Sequence, residues 1–286
     1  MLVMVDLVSV IIPVYNGKDL LDEQLQALAG QDYDGDFEVV VSDNGSTDGV
    51  ADHLATHQLR DELNLRVVNS SDAQGPSHAR NIGAAQAKGE LLLFCDQDDR
   101  VHPDWMRKLV AFSAGYDLFG SAIEGHSLNG ADARRVAGIA APESFQPAGV
   151  FAPVIVGCSF GATADAYRDL GGMDVTWAAN HDVELGWRAH NRGYRVGFLP
   201  EALVGYRYRT GVRAGLKQGW IRGIEMARLN AEFPDNGLPE IRVTTVAATL
   251  ARLLFAWRMS GEEWGLLASI ALGQVRGGLK YRTLRI

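Results

Sequence analysis

An open α/β sheet is the fold class that this 286-residue chain predicts, and three observations carry it. Short, continuous apolar runs alternate with stretches of helical period through the first hundred residues. The runs are as apolar as strands covered on both faces of a parallel sheet. Three of them end abruptly in polar, turn-forming clusters: "PVYNG" at 13–17, "SDNGSTDG" at 42–49 and "DQDDR" at 96–100.

The elements follow in order. "VSVIIPVY" reads as a first strand. In "LLDEQLQALAGQ" the residues Leu21, Leu25 and Leu28 share a helical face, and Gly30 is the stop. "FEVVVSDNGSTDG" is a second strand opening into a turn-rich loop, and "GVADHLATHQL" a second helix. "LRVVNS" is a third strand, "GPSHARNIGAAQAKG" a Gly-flanked third helix and "ELLLFCDQDD" a fourth strand. "HPDWMRKLVAF" reads as a helix with Pro103 in its first turn, and "YDLFGSAIE" as a strand. Residues 125–150, rich in Gly, Ala and Pro, read as a long excursion. Strand and helix resume in "VIVGCSFGATADAYRDLGGMD", and "HDVELGWRAHNRGY" is an amphipathic helix. "RVGFLP" and "ALVGYRY" read as two further strands, and the pattern is helical from about Arg213 to the end. The expected division is a catalytic domain over 1–210, with a nucleotide-binding half at about 1–100 and an acceptor half at about 101–210. A helical region occupies 211–286.

Composition narrows the class. With 47% apolar and 22% charged residues and a net charge of −8, the chain is globular and no general nucleic-acid binder. The charge is divided. Up to Pro200 there are 14 basic against 28 acidic residues; from Glu201 there are 13 against 7. A basic C-terminal third on an acidic body fits either helices docked on that body or an anionic partner. Cys95 and Cys158 show no metal-ligand spacing and no disulfide framework, which fits a reducing compartment. The N-terminal stretch lacks a basic leader region and reads as strand, and no run is long enough to span a bilayer. The expected location is the cytoplasm.

Ligands bind open α/β sheets in the crevice beyond the C-terminal strand ends. All three polar clusters would line it. Aspartates crowded at a strand end repel each other unless a cation sits among them. A hard ion such as Mg²⁺ or Mn²⁺ takes oxygen ligands, and Mg²⁺ commonly pairs one or two carboxylates with substrate phosphates.

The ordered set "VSVIIPVYN", "VVVSDNGSTDG", "ARNIGAAQAKGELLLFCDQDD", "GGMD" and "HDVELGWRAHNRGYRV" resembles the family 2 glycosyltransferases, which have the GT-A fold, a Rossmann-like open sheet. That resemblance implies an inverting transferase that uses a nucleoside-diphosphate sugar and a Mn²⁺ or Mg²⁺ ion. It implies a hydroxyl acceptor, on a glycan, a lipid-linked glycan or a small molecule, as in polysaccharide or cell-wall assembly. It places Pro13, Tyr15, Asn16, Asp43, Arg80, Asp96 and Gln97 at the nucleotide, with UDP or dTDP favoured. Asp98 would ligate the metal with Asp99 in support. Asp182 in "NHDVELGWR" would be the general base. Gly172, Trp177 and His181 are candidates for the sugar pockets. Two departures stand out: Asn44 replaces a second Asp, and "ALVGYRYRTG" lacks a histidine that many relatives carry. Water, Arg207 or Arg209 would then complete the charge balance. For the C-terminal helices, packing on the catalytic domain, a homodimer interface and peripheral contact at the inner face of the plasma membrane are all open. The competing functions are a non-catalytic sugar-nucleotide binder or assembly subunit, and an aspartate-dependent phosphatase.

Overall fold

The computed structural model describes residues 5–129, 155–208, 212–254 and 261–285. Strands β1 (Val8–Val14), β2 (Phe37–Asp43), β3 (Leu65–Asn69) and β4 (Leu91–Cys95) run parallel. Helices α1 (Lys18–Ala29), α2 (Val50–Ala55) and α3 (Pro76–Gln86) connect them, as the alternating pattern predicts. Then come β5 (Arg100–Val101), α4 (Trp105–Ser113), β6 (Leu118–Glu124), β7 (Ser159–Thr163), α5 (Ala164–Asp169), α6 (His181–Asn191) and β8 (Val196–Gly205). One eight-stranded sheet results, in the order β3-β2-β1-β4-β7-β6-β8-β5. β7 is antiparallel to both neighbours, and β5 is antiparallel to β8.

β1 is buried along its whole length because both faces are covered. Alternate side chains point to opposite faces. Val10 and Ile12 pack with Leu21, Leu25 and Leu28 of α1. Ile11 packs on the other face with Phe94, Phe160 and Tyr167, where the Phe94 and Phe160 rings stack 4.2 Å apart. The β1–β4 ladder ends at Ile11↔Phe94 while β1 continues along β2 to Val14↔Asp43. That divergence opens the crevice. Pro13 lies beyond the end of the β4 ladder, where a residue without an N–H is tolerated in an otherwise central strand.

Several expectations need correction. "RVGFLP" and "ALVGYRY" form one strand, β8, along β6. Its register shifts between the pairs Ser121↔Leu199 and Ala122↔Ala202. Pro200, unable to donate to a ladder, falls inside that shift. β5 was not expected; two residues are too few to show a period. α2 ends at Ala55, earlier than its apolar pattern. Pro103 precedes α4, whose N-cap is Asp104.

The C-terminal region forms α7 (Val212–Glu232), α8 (Val243–Leu254) and α9 (Gly261–Tyr281). It is not purely helical, since β9 (Ile241–Arg242) and β10 (Leu284–Arg285) pair in parallel. Leu229 and Phe233 of α7 pack on Trp177 and Trp187. The expected boundary at 210, Arg209, most of the excursion at 125–150 and residues 255–259 lie outside the described residues.

Candidate active site

The crevice is built from hydrogen bonds between strand ends. Tyr15, 53% exposed, stands just past β1. Its backbone N–H donates to Gln97 Oε1 at 2.9 Å, and its carbonyl accepts from Gln97 Nε2 at 3.2 Å. Gln97 thereby ties the β1 end to the Asp turn. Asn16, at φ 49°, accepts from the Thr47 N–H at 2.7 Å and donates its own N–H to Ser46 Oγ. That links β1 to the loop after β2. Within the loop, Asp43 Oδ1 accepts from the Ser46 N–H at 2.9 Å. Asp48 accepts from the N–H groups of Lys18 and Val50.

Residues 96–99 form the acidic turn. Carboxylate oxygens of Asp96, Asp98 and Asp99 lie within 4.8 Å of one another. Asp99 is 1% exposed. Its Oδ1 accepts from the Arg207 N–H at 2.8 Å, while buried Oδ2 accepts no hydrogen bond of ordinary geometry. Burial pushes the Asp99 carboxyl well above the ordinary 3.8, and the charges of Asp96 and Asp98 add to the rise. Three clustered carboxylates with an orphaned buried oxygen are a donor set that fits a hard divalent cation. Arg207 does not simply face the crevice: Nε donates to the Asp98 carbonyl at 2.8 Å and Nη2 to Glu23 Oε2 at 2.6 Å.

Arg80 joins the acidic turn to α6. It is 3% exposed, and its Nη2 pairs with Asp96 Oδ1. Its Nη1 lies 3.5 Å from His181 Nε2. Burial alone would lower the Arg80 pKa, but Asp96, then Tyr167 and Asp182, outweigh it and raise it, so the guanidinium stays charged. His181 is held neutral to lower pH by burial, an effect that Arg80 reinforces and Asp182 opposes. Asp182 opens the first turn of α6. Its Oδ2 accepts from the Gly157 N–H at 2.9 Å and its Oδ1 from the Val183 N–H at 3.0 Å. Tyr15, Asn16, Asp43, Arg80, Asp96, Gln97, Asp98, His181 and Asp182 therefore line one connected region, with Pro13 buried in the strand beneath.

Two expected members fall elsewhere. Trp177 is 3% exposed and the Arg228 guanidinium covers its ring at 3.9 Å, so no face remains for a sugar. It is a core residue because α7 closes over it. Gly172, at φ 69°, makes its close approach to Asn81 and lines a separate cavity of about 730 Å³ with Met173, Glu184, Arg188 and Phe233. That cavity includes none of the acidic turn.

Of the residues that hold the site in shape, sequence reasoning passes over Gln24 and Asn81 and marks Asn44 only as a departure from the family pattern. Buried Gln24 of α1 donates to the Asp96 carbonyl at 3.2 Å and accepts from the Val101 N–H at 2.9 Å, fastening the acidic turn at both ends. Asn44 donates to the carbonyls of Ser70 at 2.5 Å and Ala73 at 2.7 Å, and accepts from the Gly75 N–H at 2.8 Å. Asn81 accepts from the Met173 N–H and the Tyr167 hydroxyl. A buried polar residue inside an apolar helical face, as Gln24 is, was the one available signal.

The open sheet with its acidic turn and converging strand ends has the GT-A architecture. More specifically, the chain belongs to glycosyl transferase family 2, whose model matches residues 9–168. It is 27% identical to the pre-mycofactocin glycosyltransferase of Mycobacterium tuberculosis, over 97% of this chain and 58% of that protein. It is 30% identical to glycosyltransferase AglE of Haloferax volcanii, over 68% of this chain and 65% of that one. The chain thus spans about three-fifths of the length of these curated relatives. Among solved structures it resembles the mannosyltransferase PcManGT from Pyrobaculum calidifontis in complex with GDP-Man and Mn²⁺. The TM-score is 0.63 at 21% identity, covering 96% of this chain and 72% of that one. It also resembles S. aureus TarS 1–349 in complex with UDP-GlcNAc, with TM-score 0.57 and 20% identity over 94% of this chain and 92% of that one.

Proposed function

We propose that the chain transfers a sugar, with inversion, from a nucleoside-diphosphate sugar to a hydroxyl acceptor. The observation that carries this reading is the linkage of the acidic turn, through one buried arginine, to His181 at the start of the helix that carries Asp182. Donor-side and acceptor-side carboxylates then face one crevice. Tyr15 offers an exposed ring on which a base can stack. Asp43 accepts the imide proton of a uracil or thymine. Asp98, with Asp99 and Asp96, would hold a Mn²⁺ or Mg²⁺ ion, which when bound offsets charge on the departing diphosphate. Asp182 takes the proton of the attacking hydroxyl; the N–H groups of Gly157 and Val183 hold its carboxylate in place.

Calorimetric and thermal-shift titrations with UDP, dTDP and GDP, each with Mn²⁺, Mg²⁺ or EDTA, test the donor half. A true ligand at a hundredfold excess over its dissociation constant stabilises by about 2.7 kcal/mol. The expected result is stabilisation by one nucleotide that EDTA and Asp98→Ala abolish. Asp182→Asn is expected to keep that binding and to lower sugar transfer by about 10²–10⁴-fold. Unchanged transfer by Asp182→Asn would overturn the assignment of Asp182 and leave a transferase with a different base.

A further inference from the structure

The C-terminal helices pack in a way that turns their large side chains outward. α7 carries Gly219, Gly223 and Ala227 at four-residue spacing, and α9 carries Gly265, Ser269, Gly273 and Gly277. These small residues meet. A Cβ at Gly223 would collide with the Ile270 carbonyl, and one at Gly277 would come 2.8 Å from Ala227. The two backbones are therefore in near contact, and the helices run in the same direction, Leu216 beside Gly265 and Ile224 beside Gly277. A seam of small residues removes leucine and tryptophan from between the helices.

Those residues stand at the surface instead. Leu216 and Trp220, one turn apart on α7, are 39% and 41% exposed, and Trp264 on α9 is 43% exposed. Leu216 abuts Gly265, the residue after Trp264, so the patch crosses both helices. The Trp264 indole N–H is satisfied by the Leu253 carbonyl at 2.8 Å, leaving its ring as apolar surface. Leu272 and Leu279 continue the apolar line along α9 at 48% and 63% exposure. Exposed basic residues stand on the same two helices: Arg213 and Lys217 on α7, Arg276 and Lys280 on α9. Exposed tryptophan and leucine together with exposed arginine and lysine match the chemistry of an anionic lipid surface.

We propose that this α7–α9 face docks on an anionic bilayer without crossing it. Among the described residues no helix is long and apolar enough to span a membrane. The inference does not rest on catalysis and can fail independently of it.

The test is flotation of the full chain with phosphatidylcholine vesicles and with vesicles containing 30% phosphatidylglycerol, as about one lipid in three, at low and high salt. Co-flotation with the anionic vesicles only, weakened by salt and accompanied by a blue shift of tryptophan emission, is expected. Trp220→Glu/Trp264→Glu is expected to abolish it. Arg213→Glu/Lys217→Glu, at two exposed positions, is expected to lower partitioning by at least about tenfold at the wild-type thermal midpoint. The tryptophan variant, which loses the Trp264–Leu253 hydrogen bond, is compared at a temperature where its circular dichroism matches wild type. Wild-type protein that stays in the bottom fraction overturns the proposal. So does flotation unchanged in both variants. A dimer on light scattering that the tryptophan variant dissolves, without flotation, would assign the face to self-association.

Discussion

Asn44 shows how a single amide shapes the nucleotide edge. Two of its hydrogen bonds donate to carbonyls and one accepts, a combination that a carboxylate cannot supply. Asn44→Ala removes a partner from three backbone groups, that of buried Ser70 among them. It is expected to cost about 2 kcal/mol, read as a lower urea midpoint at unchanged slope. Glu38 is a second buried polar residue, set in β2 far from the crevice. Ser9 Oγ and the Lys88 N–H donate to its Oε1, each at 2.7 Å, and Arg66 Nε donates to Oε2 at 2.8 Å. Burial would raise the Glu38 pKa, but the bonds from Arg66, Lys88 and Ser9 outweigh it and hold the carboxyl below 4.5. A depressed folded value means that the unfolded chain takes up this proton first as pH falls. Glu38 therefore stabilises fully above about pH 4.5, and the contribution drains away as pH falls through the lower, folded value. Melting curves taken from about pH 7 down to about pH 3 are expected to fall more steeply for wild type than for Glu38→Gln.

At the scale of elements, α7 and α9 give a clear test of close packing. Gly223→Ala raises intrinsic helix propensity by about 1 kcal/mol. The new methyl would meet the Ile270 carbonyl and the Gln274 amide, which are backbone and cannot rotate aside. Overpacking of about 1–3 kcal/mol then outweighs propensity, and the thermal midpoint is expected to drop. The first four strands were legible in sequence because each is a buried apolar run closed by turn residues. β8 was misread as two strands because Pro200 and Glu201 interrupt its apolar pattern at the register shift, where both are exposed. The acidic turn and Asp182 were legible through motif order. What holds them was not: Gln24 reaches across 72 positions to Asp96, and Arg80 across 101 to His181. No local period encodes such partners. Trp177 was read as a sugar platform because a sequence does not show Arg228, more than fifty positions later, lying over its ring.

For the whole molecule, the C-terminal third is a structural part of the catalytic body. Trp187 is fully buried, and Phe233 meets it edge to face with centroids 5.7 Å apart. A chain ending at residue 208 would uncover both Trp177 and Trp187. It is expected to bind the dye ANS and to elute as aggregate on gel filtration, whereas two independent domains would leave the shorter chain monomeric. The charge division agrees with this docking, since Arg228 of the basic third reaches Thr176 and lies 3.8 Å from Asp174 of the acidic body. At the other end of the chain, Gln24 clasps the acidic turn from both sides. Its carboxylates are gathered once, when the polypeptide folds, and not anew at each encounter with a ligand. Any ligand that enters the crevice meets a finished cage, so its association draws on almost no chain ordering and leaves only a small heat-capacity signature. Loops around the crevice are thereby free to diverge in length and composition while the cage keeps its dimensions.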